Sequence, residues 1–163
     1  MAIRDALLAE YDHEMGTTRR LLARVPDDRL SWRPHPKSMT LGGLATHLAN
    51  LPAWGGAILN GASFDLAGAP PALETETSCA AVLVRFDEAS RRTRGWMDRT
   101  DAEYAAPWRL ERGGHQMFSL PRVAAFKMFV INHIIHHRGQ LSVYLRLNDV
   151  LVPSIYGPTA DET

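Results

Sequence analysis

The chain has 163 residues, 18 basic and 18 acidic, with 45% hydrophobic and 22% charged side chains, the proportions of a globular domain rather than of a disordered or fibrous chain. A length of this order suits one domain around one core, expected to span residues 1–163. The balanced charge creates no long-range field for a phosphate backbone or an anionic bilayer, so neither nucleic acid nor membrane is an expected partner.

Residues 3–25 place Leu7, Leu8, Tyr11, Met15, Thr18, Leu22 and Val25 at three- and four-residue intervals, which predicts a first helix with one apolar face. The opening MAIRDALLAEYDHE has no signal-peptide apolar core, so a cytoplasmic location is expected. Pro26 and the run PDDRLSWRPHPKS interrupt the pattern, because proline lacks a donor and biases its predecessor away from helical angles. Ser38 or Thr40 can cap a second helix over 39–60, with Leu41, Leu44, Leu48, Leu51 and Ile58 on its seam and a kink, or an earlier end to the regular helix, expected at Pro52.

Gly61 to Glu74, containing Gly61, Gly68, Pro70 and Pro71, carries no sustained period and reads as a crossover loop. A third helix is predicted over 77–100, its stripe formed by Cys79, Val82, Leu83, Phe86, Thr93, Trp96 and Met97. Its basic cluster Arg91, Arg92 and Arg94 lies beside Asp87, Glu88 and Asp98, a solvated charged face rather than a nucleic-acid surface. Cys79 is the only cysteine, which rules out an intrachain disulfide and fits a reducing compartment; within an apolar stripe it reads as a small buried side chain rather than a nucleophile.

In WRLERGGHQMF the pair Gly113 and Gly114 can adopt the positive φ of a tight hairpin, so a small β-hairpin is expected before the last helix. That helix is predicted over 119–147, capped by Ser119 with Pro121 in its first turn. The tail 148–163, with Pro153, Gly157 and Pro158, should pack back over the helices before fraying. The elements together predict an all-α fold built on a four-helix bundle. No apolar stretch reaches the roughly 20 residues of a membrane span.

Seven histidines occur. At about 100° per residue, His133 and His137 differ by roughly 40° and share a direction with Phe126, Val130, Leu141 and Tyr144. His136 flanks that face, beside Phe129, Val143 and Leu147. His47, between Leu44 and Leu51 and in line with Trp54, also points inward. Neutral imidazoles at i and i+4 can converge on one divalent ion, a third from a facing helix completes a triad, and three protein ligands leave an open position. Spacing alone is equally met by core histidines tied to backbone carbonyls. His13, His35 and His115 read as surface residues. Glu10 and His13 form an ExxH pair, but a ferritin-like di-iron site needs a second such motif and further helical glutamates, and the last helix contains no acid.

HIIHHRGQLSVYLRLNDVLVPSIYGP, from His133 to Pro158, and LSWRPHPKSMTLGGLATHLANLPAW upstream resemble the DinB/YfiT-like superfamily over nearly the whole chain. The resemblance implies an up-down-down-up four-helix bundle, often dimeric, with a metal held by His47, His133 and His137, and His136 adjacent without ligating. It also implies metal-dependent transfer, with a low-molecular-weight thiol such as bacillithiol or mycothiol, or hydrolysis of a small molecule. A non-catalytic metal or small-molecule binding protein in a stress response, or a metal that only braces the bundle, are the alternatives. Imidazole ligands suit several metals, with zinc the first expectation and nickel the second. His136, Gln140, Asn132 and Tyr144 are near enough in sequence to orient ligands or solvent, and none is singled out as a catalytic base.

Overall fold

A computed structural model describes residues 2–69 and 74–162; Pro70 and Pro71 of the expected crossover loop, and Thr163 of the tail, lie outside the described residues. Helix α1 spans Ile3–Leu22 and buries Leu7, Tyr11, Met15, Thr18 and Leu22, the stripe its periodicity predicts. It stops short of Val25 as Pro26 leads into a 3-10 turn, Asp27–Arg29. The linker that follows is pinned to the next helix: Leu41 N donates to the Trp32 carbonyl (2.7 Å) and Gly42 N to that of Leu30 (2.9 Å).

Helix α2 covers Leu41–Asn50 and is capped by the Thr40 hydroxyl, which accepts from Gly43 N at 3.0 Å. The regular helix ends early, as expected at Pro52: Leu51–Ala53 tighten to 3-10 before α3, Trp54–Asn60. The Thr93 hydroxyl, from the next helix, donates to the Pro52 carbonyl at 2.7 Å. Helix α4, Cys79–Gly95, begins at the Ser78 cap and ends five residues before the boundary expected from sequence. A short helix α5, Asp101–Ala105, follows in a capping box of Thr100 and Glu103.

Strands β2, Pro107–Arg112, and β3, His115–Pro121, form the expected hairpin across Gly113 (φ +59°) and Gly114 (φ +77°). The crossover segment adds β1, Ser63–Asp65, pairing parallel to β2 with Ser63 opposite Arg109. The Asp65 carboxylate accepts from Gly113 N (2.8 Å) and Gly114 N (3.0 Å), locking the hairpin turn to that strand. The order β1-β2-β3 gives a three-stranded sheet, so the fold is mostly helical but not all-α. Ser119 does not cap the last helix; it lies in β3 opposite Arg109, and the helix starts at Arg122 once the strand ends. It runs as α6, Arg122–Phe126, a π-helical turn, Lys127–Ile131, and α7, Asn132–Leu147.

Helices α1 and α2 each pack against both α4 and α7, enclosing a core that includes Leu21, Leu44, Leu48, Val82, Phe126, Ile134 and Leu141. One ion pair lies inside it: Arg138 Nη1 of α7 stands 2.6 Å from Glu14 Oε2 of α1, with both side chains buried. The tail turns back over this pair, where Tyr156 donates to Glu14 Oε1 (2.8 Å) and carries the Arg138 guanidinium 5.0 Å above its ring. Farther along, Ser154 N donates to Glu162 (2.8 Å) and Arg20 to the Ser154 carbonyl (3.0 Å). Among the described residues no helix is long and apolar enough to cross a membrane.

Candidate metal centre

Helices α2 and α7 meet face to face, and the inward stripe of each carries its histidines into the contact. His47 Nε2 lies 3.5 Å from His133 Nε2, and His133 Nε2 lies 3.0 Å from His137 Nε2. One ligand nitrogen from each of the three falls within 4.8 Å of the others. The fold therefore brings His47, His133 and His137 together, the three that the sequence picks out, and they could hold a metal ion.

Their environment keeps them neutral. Burial, then the rings of His137 and His133, pulls His47 down from 6.5 to about 4. Burial likewise lowers His133, helped by His137 and His136 and opposed by backbone hydrogen bonding at Phe129. Burial lowers His137 too, against the pull of its hydrogen bond to Gln140. Neutral imidazole is the ligand form.

The donor set fits a metal on geometric grounds. Ligand nitrogens about 2.1 Å from a tetrahedral zinc lie about 3.4 Å apart, close to the 3.0 and 3.5 Å separations here. Three neutral imidazoles aiming nitrogens at one point cannot satisfy one another by hydrogen bonds alone, since each shared hydrogen serves a single pair. A cation serves all three.

The remaining histidines lie elsewhere. His13 is exposed and stacks on Tyr156 with ring centroids 6.4 Å apart, while Glu10 is paired with Lys127 at 2.7 Å, so the ExxH residues form no shared site. His35 Nδ1 accepts from Lys37 N (3.1 Å), and His115 is exposed at the hairpin. Cys79 donates to the Leu22 carbonyl at 3.4 Å, and burial together with Asp27 pushes its thiol up, which suits a packing role. His136 is exposed with its ring 4.8 Å from that of His137. Gln140 bridges the two, its Oε1 2.7 Å from His137 Nδ1 and its Nε2 3.2 Å from His136 Nε2. Its position three residues after His137 and four after His136 was the sequence signal for this contact.

Helices enclosing an α2–α7 histidine cluster, with a small sheet at one end, define a DinB-like fold. A DinB-like protein from Bacillus cereus ATCC 10987 superimposes with a TM-score of 0.70 at 25% identity, covering 95% of this chain and 98% of that one. The DinB-like protein YjoA of Bacillus subtilis gives 0.71 at 18% identity, covering 93% and 99%. In sequence, the uncharacterized protein YrdA of Bacillus subtilis strain 168 is 29% identical over 164 residues, covering 97% of this chain and 90% of its own. The profile of the DinB family matches residues 2–163, and the chain belongs to that family.

Proposed function

We propose that the protein binds one divalent metal through His47, His133 and His137, and uses it in thiol transfer to, or hydrolysis of, a small molecule. The observation that carries this reading is that His47 Nε2 and His137 Nε2 stand 3.5 and 3.0 Å from His133 Nε2, close to a tetrahedral edge. Zinc is the first choice and nickel the second, because uncharged imidazoles suit both and availability in the cell decides between metals of similar affinity.

A divalent ion with an open position generates a thiolate or hydroxide nucleophile near neutral pH. The chain supplies the rest: His47, His133 and His137 stay unprotonated, and α2 and α7 fix their separation. A low-molecular-weight thiol as cosubstrate, a homodimeric assembly, a cytoplasmic location and an up-down-down-up order of the long helices belong to the same reading. They are supported by membership of the family and, for the helix order, by the long connection between α3 and α4.

The test is metal content by mass spectrometry on tag-free protein, comparing wild type with His47→Ala, His133→Ala, His137→Ala and His136→Ala. About one metal per chain, lost in the first three variants and kept in the fourth, is the expected result. A folded, metal-free wild type under metal-replete conditions overturns the reading. Turnover of a thiol and ester panel that disappears in His133→Ala then supports an enzyme, whereas binding without turnover assigns the chain to metal or small-molecule binding.

A further inference from the structure

We infer that Gln140 and His136 are positioning residues that hold His137 in the one tautomer leaving Nε2 free for a metal. The inference rests on the metal reading above. It follows from the chemistry of three contacts. Gln140 Oε1 lies 2.7 Å from His137 Nδ1. A carboxamide oxygen only accepts, so Nδ1 carries the hydrogen. A neutral imidazole has one such hydrogen; the lone pair is therefore on Nε2, the atom 3.0 Å from His133 Nε2.

The amide could do the opposite if it were turned over. Its NH2 would then donate to His137 Nδ1, move the ring hydrogen to Nε2 and place it where the ligand nitrogens converge. His136 couples this choice to a second ring. Gln140 Nε2 lies 3.2 Å from His136 Nε2, and an amide nitrogen only donates, so His136 accepts with its own hydrogen on Nδ1. Turning the amide over would break both contacts unless both rings changed tautomer together. The two rings and the amide thus switch only as a unit, and in the arrangement observed the glutamine leaves His137 Nε2 free.

The geometry is local to α7. Residues three and four apart share a helix face, so Gln140 reaches His137 and His136 at once without help from another element. His136 and Gln140 are both exposed, which means that neither is needed to fill the core, and their replacement leaves the fold intact. Groups that orient a metal-bound imidazole typically change metal affinity by about 10–100-fold when removed.

The experiment compares wild type, Gln140→Leu, Gln140→Glu and His136→Ala by two readouts. The first is the zinc Kd of metal-stripped protein, measured by competition with a chromophoric chelator. The second is the His137 tautomer in the metal-free protein, read by long-range proton–nitrogen NMR correlation. Wild type should show hydrogen on His137 Nδ1. Gln140→Leu should lose that preference and bind zinc about tenfold or more weakly. Gln140→Glu keeps an accepting oxygen and should bind at least as tightly as wild type, and His136→Ala should fall between wild type and Gln140→Leu. Wild-type hydrogen on His137 Nε2, or Gln140→Leu with unchanged tautomer and zinc affinity, overturns the inference. Wild type that binds neither zinc nor nickel sinks the metal reading instead, and the tautomer measurement still decides whether Gln140 sets the ring.

Discussion

Replacing Arg138 with Met should destabilise the protein far more than a typical charge removal. The Arg138 side chain is 1% exposed and that of Glu14 6%, so cutting away the guanidinium leaves a carboxylate inside the core. Its remaining contact would be the Tyr156 hydroxyl at 2.8 Å, which cannot replace a cation. Breaking one side of such a buried pair costs about 3–5 kcal/mol, equivalent to a fall in Tm of about 6–20 °C for a chain of this size. The pair is also imperfect, because Arg138 Nη2 finds no hydrogen-bond partner among the described residues. Arg138→Met combined with Glu14→Leu should therefore recover most of the loss, since it removes both desolvated charges together. Urea unfolding of metal-free protein, followed by circular dichroism at pH 7, measures all three. A single variant that loses less than about 1 kcal/mol, or a double variant no more stable than the single one, would refute the reasoning.

Acid should weaken the metal-free fold between about pH 6.5 and 4. In the unfolded chain His47 takes a proton near 6.5, whereas in the fold it stays neutral to about 4, so stability is full above that window and declines as pH falls through it. After allowance for a half-buried ring, the His47 share is about 1–2 kcal/mol; equal acid slopes for metal-free wild type and His47→Ala in urea melts would contradict it. Zinc at about 100 times its Kd should add about 2.7 kcal/mol, or roughly 5–11 °C in Tm. A chelator should reverse that gain, and a calorimetric scan showing the same gain in His133→Ala would place the ion elsewhere. Gly55→Ala would drive a methyl group against Thr93 Cγ2 and to 3.1 Å from Phe126; a loss of about 1–3 kcal/mol is expected, and an unchanged urea midpoint would show that α3 and α4 can part.

Elements whose order comes from their own residues were legible in the sequence. The Thr40 cap, the Pro52 break and the Gly113–Gly114 turn each have a local cause, and each stands where it was expected. So do the inward-facing His47, His133 and His137, because helical periodicity fixes direction. Strand β1 was not legible: Ser63–Asp65 is extended because β2 lies beside it, and the segment carries no alternation of its own. Ser119 shows the converse, a good capping residue absorbed by a strand that continues to Pro121. The Glu14–Arg138 pair was missed since charged residues ordinarily belong on the surface, and only the crossing of α1 over α7 reveals that these two share a dry position. Gln140 was visible as a neighbour of the site, but which oxygen faces which ring depends on side-chain geometry that spacing does not encode.

The π-helical turn at Lys127–Ile131 sets the phase between the two ends of the last helix. Upstream, Ala125 and Phe126 are buried in the core; downstream, His133 and His137 face His47 of α2. Deleting one residue from an ordinary helix swings everything beyond it by about 100°. Here a deletion would instead convert the wide turn to a regular one, so the chain already holds one residue of slack between its sheet end and its histidines. A one-residue deletion at this point should therefore keep His133 and His137 aimed at α2, which makes the wide turn the place in the helix where a change of length is absorbed rather than passed on to the histidine cluster.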